Sequence, residues 1–300
     1  MTETRLKMPP EPSAPTQEPL DQPLRADRPT FTIRPAPRWP HLDVRELWHY
    51  REVLGTIVWR DIVVRYKQTF LGIAWAVLVP ALTATVYILV FGKFAKFPAG
   101  DTAYPSLVIA GVIPMQYFSS AVTGSSLSLV TNLPLVTKVY FPRVLLPFAA
   151  VLAPIIDLLV ALPVLLVLMA VYGTWPQGIQ VIFAPLFIAL ALFTALGIGF
   201  LLSAANVRYR DVRYMIPVFL QILPLLSGVM YDVSQLPEKW QWILSLNPMT
   251  GVIAGWRGAI LGASEPNWLQ TLVGVGTCTA LFVIGLTVFR ISEPRFADTI

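Results

Sequence analysis

Six apolar runs, each about the length needed to cross a bilayer, dominate this 300-residue chain: Leu71–Gly92, Pro105–Val130, Val144–Tyr172, Ile179–Ala205, Met215–Tyr231 and Leu269–Phe289. An α-helix rises 1.5 Å per residue, so about 20 residues span a hydrocarbon core of roughly 30 Å. Met215–Tyr231 is the shortest of the six. With 55% hydrophobic and 13% charged residues, the composition is wrong for a soluble domain, which carries about a quarter charged residues. The expected fold class is an all-α membrane protein with six transmembrane helices, because lipid-exposed backbone must satisfy its own hydrogen bonds.

Cationic residues set the orientation. Taking alternate sides of the six runs, 18 Lys and Arg fall on the N-terminal side and 4 on the other, which places both termini in the cytoplasm by the positive-inside rule. The net charge of +5 follows this topology and implies no nucleic-acid partner. Cys278 is the one cysteine, inside the last run, so an intrachain disulfide is excluded. The two histidines, His41 and His49, are too few for a metal site of three or four ligands.

Residues 1–40 are rich in Pro, Asp, Glu and Arg and too poor in apolar pattern to offset chain entropy, so a disordered cytoplasmic tail is expected, without a secretory signal. Residues 41–300 form the membrane domain. From Asp43 to Gln68 the chain is helix-compatible, with Val44, Leu47, Leu54 and Val58 on one face and Trp48 and Trp59 near it. An amphipathic helix lying in the cytoplasmic interface fits this pattern; a soluble helix packed on a partner is the alternative. Gln241–Gly262 is apolar, yet Asn247-Pro248 interrupts it and Arg257 would lie at membrane depth. A re-entrant helical hairpin entered from the outer face explains both, and avoids placing Arg290 and Arg295 outside. No internal repeat of the halves is visible, which argues against an inverted-repeat transporter.

Asp157 is the one acid well inside a run. Such a group faces protein or water, either as a helix-packing partner or in a transport-coupled role; a proton relay needs several. Ser119, Ser120, Thr123, Gly124, Ser125, Ser126 and Ser128 give the second run a small-residue surface that packs helices closely or wets a pore. Prolines at 80, 114, 154, 163, 185, 217 and 224 are expected to kink the spans. Tyr87, Phe91, Phe94, Phe97, Tyr104, Tyr117 and Phe118 cluster near the outer half of the first two runs. They read as an interfacial aromatic belt or as a path of flat faces for sugar rings. No G-x-x-x-x-G-K-[ST] phosphate loop occurs, so ATP chemistry is not expected in this chain.

Arg60–Pro80 reads RDIVVRYKQTFLGIAWAVLVP, and LVTKVYFPR (Leu135–Arg143), NVRYRDVRY (Asn206–Tyr214), LPEKW (Leu236–Trp240) and LNPMTGVI (Leu246–Ile253) follow in order. From about Val44 to the C-terminus the chain resembles the membrane subunits of polysaccharide-export ABC transporters, the Wzm type that exports O-antigen and related lipid-linked glycans. The Pro-rich extension before Pro40 is longer than that family leads one to expect.

The resemblance implies a bacterial inner-membrane permease subunit that is not itself an enzyme. Two copies form the pore, and two copies of a separate ATP-binding subunit hold ATP and Mg. It implies a cytoplasmic coupling helix over Leu135–Arg143, bounded by Pro134 and Pro142, with Thr137, Lys138, Tyr140, Phe141 and Arg143 facing the ATPase, and Arg208 and Arg210 touching the same partner or anionic lipid. The lipid pyrophosphate of an undecaprenyl-type polysaccharide is expected to meet Arg60, Arg65 and Lys67 first, since phosphate needs clustered donors and positive charge. The glycan is then expected to pass Tyr87, Phe91, Tyr117 and Phe118. The competing function is an ABC permease for drugs or small amphipaths; a proton-coupled carrier is disfavoured by the solitary Asp157.

Overall fold

The computed structural model describes residues 48–67, 69–97, 102–139, 141–176, 178–262 and 268–296, and among them all regular structure is helical. The expected disordered tail lies outside the described residues. α1 (Arg51–Tyr66) lays Leu54, Ile57 and Val58 against the bundle and leaves Trp59 and Val64 exposed. Val44 and Leu47, from the expected apolar face, precede the described part.

Among the described residues, five helical segments are long and apolar enough to cross a membrane. The first, Gly72–Phe94, contains α2 (Trp75–Tyr87) and widens into a π-helical stretch, Ile88–Phe94. The second is α3 (Tyr104–Thr131), which continues through Pro114. The third, Leu145–Tyr172, breaks at Ala153-Pro154 into α5 (Leu145–Leu152) and α6 (Ile155–Tyr172), because proline removes a helix donor. α7 (Ala184–Arg208) forms most of the fourth, and α11 (Trp268–Ser292) carries the fifth. Pro105, Pro185 and Pro248 stand in the first turns of their helices, where the missing N–H has no carbonyl to bond.

α8 (Val212–Leu226) is apolar but has 15 residues, about 23 Å of helix. The sequence placed this run at Met215–Tyr231. The helix instead ends at Leu226, and the chain turns through Gly228, whose φ of 70° excludes a comfortable L side chain.

α3 is the most buried of the five. α7 packs on it from one side and on α11 from the other. Both contacts depend on absent side chains. A Cβ at Gly197 would meet the Leu281 and Phe282 backbone at 2.7 Å, Gly285 faces the Gly197 backbone, and Gly199 faces Ser125 of α3. Small residues let backbones approach where water supplies no hydrophobic drive.

Gln241–Gly262 folds as α9 (Glu238–Ser245) and α10 (Pro248–Leu261), broken at Asn247. Asn247 caps α10 by accepting from Met249 N (3.1 Å), and its amide donates to Ser227 Oγ (2.8 Å). Arg257 of α10 is 6% exposed and donates to four main-chain carbonyls: Nε to Leu107 (2.9 Å), Nη1 to Gly228 (2.8 Å) and Tyr231 (3.2 Å), and Nη2 to Val229 (2.6 Å). It therefore ties α10 to α3 and to the turn after α8. Gly111 makes the room, since a Cβ there would collide with the guanidinium.

Arg257→Met should lower the thermal midpoint of the detergent-solubilised chain markedly, because carbonyls left buried without donors cost about 1–3 kcal/mol each. Arg257→Lys should recover only part of the loss, an ammonium lacking the planar fork. A melting curve for Arg257→Met that overlays the wild type would show that the clamp contributes nothing.

Candidate functional site

Two clefts in the bundle share Arg65, Gln116 and Ser120 in their walls. The larger, of about 640 Å³, lies between α2, α3 and α8. Thr83 and Tyr87 come from α2; Val112, Gln116, Ser119, Ser120 and Thr123 from α3; Pro217 and Gln221 from α8; Val229 from the turn beyond. The α3 positions recur at three and four residues, so they form one helix face. Thr123 donates to Ser119 O (2.7 Å), a back-bond that satisfies the hydroxyl within its own helix. The remaining oxygen lone pairs and the two glutamine amides give an apolar bundle a groove able to exchange hydrogen bonds with water or a hydroxylated ligand.

The smaller cleft, of about 170 Å³, is lined by the end of α1, the start of α2, α3 and α6. Arg65 of α1 forms an ion pair with Asp157 Oδ2 of α6. Among the described residues, Asp157 Oδ1 and the Tyr66 hydroxyl are buried without a hydrogen-bond partner, and Trp75 is 45% exposed at the rim.

Tyr87, named from the sequence, lines the groove. Its ring meets Phe91 edge-on at 6.2 Å, Phe91 lies 5.4 Å from Phe97, and Phe97 lies 6.3 Å from Tyr231, so the rings continue from the groove to the turn after α8. Phe94 is 78% exposed on the outside. Tyr117 and Phe118 are each 1% exposed and packed in the interior, with the Tyr117 hydroxyl on Val151 O at 3.3 Å. Of the three cations expected to meet a phosphate, Arg60 is paired to Asp61 at 2.7 Å, Arg65 is paired to Asp157, and Lys67 is exposed at the end of α1.

Between the second and third spans the helix is α4 (Leu133–Lys138), shorter and earlier than Leu135–Arg143. Pro134 sits inside its first turn, and the chain is extended at Val139. Thr137 and Lys138 are exposed, while Phe141 is buried and Arg143 donates to Glu293 O; Tyr140 lies outside the described residues. Arg208, the last residue of α7, and Arg210 just beyond it are exposed, with Arg208 over the Tyr209 ring.

Sequence reasoning missed Thr83, Gln116, Gln221 and Tyr231, and it did not connect Arg65 to Asp157. The glutamines carried a signal: an uncharged amide in an apolar run still needs polar company.

Comparison with known proteins accords with this architecture. The O-antigen export system permease protein RfbA of Klebsiella pneumoniae is 29% identical over 248 residues, 82% of this chain and 94% of that protein. The protein of the same name from Myxococcus xanthus is 28% identical over 86% of this chain and 98% of its own length. The polysialic acid transport protein KpsM of Escherichia coli is 24% identical over 78% of this chain and 91% of that protein. The model of the ABC-2 type transporter family matches residues 52–261, more than half of the sequence, and this chain belongs to that family.

Proposed function

We propose that the chain is the membrane subunit of an ATP-driven exporter that moves a lipid-linked polysaccharide, of the O-antigen kind, outward across a bacterial inner membrane. The observation that carries this reading is the groove between α2, α3 and α8, whose Thr83, Gln116, Ser119, Thr123 and Gln221 are polar where lipid-facing helices are not. A sugar polymer demands hydrogen-bonding groups it can exchange as it slides, whereas expulsion of drugs or small amphipaths calls for a greasier pocket. The relatives named for O-antigen export and polysialic acid transport support the same substrate class.

In this reading two copies of the chain face each other across the grooves, and α8 completes six crossings with both termini in the cytoplasm. α1 lies in the inner interface. α9 and α10 enter from the outer side and return, held by Arg257 where non-helical backbone is buried in protein. Tyr87 and Phe91 offer flat faces at the outer part of the path, and Arg65 and Lys67 receive the lipid pyrophosphate. ATP and Mg belong to a separate ABC subunit, present in two copies, which docks on Thr137 and Lys138 of α4 together with Arg208 and Arg210. Phe141 and Arg143 hold that surface from behind.

Filling the groove with hydrocarbon tests the path. Thr123→Val combined with Gln221→Leu should reduce surface polysaccharide several-fold in a strain dependent on this chain, with unchanged membrane insertion and ATPase association. Undiminished export would remove the groove from the path.

The docking surface makes a separate demand. Lys138→Glu should weaken co-purification of the ATPase or its coupling to export while leaving the solubilised chain as stable as wild type. Phe141→Ala should instead lower the yield of folded protein, since truncating a buried Phe costs about 3–5 kcal/mol. Identical behaviour of the two variants would contradict the division between docking and support.

A further inference from the structure

The export reading gives a task to Arg65 alone among the polar groups of the smaller cleft, yet Asp157, Tyr66, Gln116 and Ser120 are gathered there with it. Asp157 Oδ2 accepts from Arg65, across 92 residues of sequence, and Oδ1 is sealed and has no partner among the described residues. The Tyr66 hydroxyl, one residue on from Arg65, is also buried without a partner. Gln116 and Ser120 add an amide and a hydroxyl to the same cleft, and Trp75 presents an indole at its rim.

Ligand chemistry can be narrowed by elimination. A bare phosphate drawn to Arg65 would meet the carboxylate beside it at like charge. A metal ion would face Arg65 and would find far fewer oxygens than the six to eight that calcium takes. An apolar tail would leave Asp157 Oδ1 and the Tyr66 hydroxyl buried without a partner. What suits every group is a phosphate ester of a sugar: an anion for the guanidinium, hydroxyl donors for the carboxylate, and an apolar ring face for the indole.

We propose that the smaller cleft recognises the glycosyl phosphate junction of the lipid-linked glycan by an exchange of partners. Arg65 leaves Asp157 for the phosphate, and the released carboxylate accepts hydrogen bonds from hydroxyls of the adjoining sugar, whose apolar face lies on Trp75. Both charged groups are partnered before and after, so neither is stranded during loading. The inference rests on the polysaccharide reading and adds the part of the substrate that is read and the residues that read it. The cleft shares Arg65, Gln116 and Ser120 with the groove, so the junction would be held where the glycan enters its path.

The full-length chain in phosphatidylcholine nanodiscs, which offer no anionic lipid, tests this with three probes: a short-chain prenyl diphosphate, the same lipid bearing one N-acetylglucosamine, and free N-acetylglucosamine. The wild type should bind the sugar-bearing lipid at least about tenfold more tightly than the bare diphosphate, the worth of one or two net hydrogen bonds. Asp157→Ala should abolish that preference and bind the bare diphosphate more tightly than wild type, because the competitor for Arg65 is gone. A purely structural ion pair would leave the preference for the sugar-bearing lipid at its wild-type ratio when Asp157 is removed. Asp157→Ala weakening both lipids equally, or keeping the wild-type ratio, overturns the proposal, as does free sugar binding as well as the sugar-bearing lipid. Should Asp157→Ala fail to fold, the exchanged pair Arg65→Asp with Asp157→Arg restores the ion pair; it should lose the sugar preference, and its retention is equally contrary. Failure of the polysaccharide reading is separate: there, deleting the chain leaves surface polysaccharide unchanged, whereas normal export with an unaltered ratio in Asp157→Ala removes the junction site alone.

Discussion

One guanidinium holds the break in this bundle closed. Where α8 stops short and the chain turns through Gly228 to Tyr231, main-chain carbonyls leave the helical ladder, and Arg257 supplies donors to three of them while bonding Leu107 of α3. Burying a charge is tolerable only with its hydrogen bonds filled. Four carbonyls meet that condition for Arg257. Val229, whose carbonyl is among the four, also lines the large groove. The clamp that completes the fold thereby sets the distance between the two walls of the proposed path.

α3 serves the bundle on one face and the groove on another, and it manages both with small residues. Ser125 lies under Gly199 of α7, and the carbonyl of Ser126 accepts from Asn206 (3.1 Å), so this side is packed. Ser119, Ser120 and Thr123, a fraction of a turn round the helix, open into the cleft. From sequence, close packing and a wetted pore were competing readings of a single stripe. The helix separates them by angle, because 3.6 residues per turn send neighbouring positions to different environments.

Five of the six expected spans and the break at Asn247-Pro248 were legible because length, hydropathy and a proline are local properties. The oddity of Arg257 was visible too, though its partners were not, since they lie 26 to 150 residues away in the chain. Aromatic residues near one end of two runs suggested a common lining, but a ring's direction depends on helix rotation: Tyr87 lines the groove, Tyr117 borders the smaller cleft, and Phe118 is packed in the interior. The short helix after α3 was shifted by reading Pro134 as a stop, although proline in a first turn starts a helix well. Asp157 was seen as solitary because its partner Arg65 was counted with the cytoplasmic cations and not with the bundle.

The central claim is that the polar face of α3 borders water along a path through the membrane. With Cys278 replaced by Ala, single cysteines along α3 can be tested in membrane vesicles for reaction with a small, charged thiol reagent, which requires a hydrated thiolate. The account predicts labelling at 116, 119 and 123, and none at the packed positions 108, 109 and 122. Silence at 116, 119 and 123, matching lipid-facing controls at 166 and 167, would contradict it.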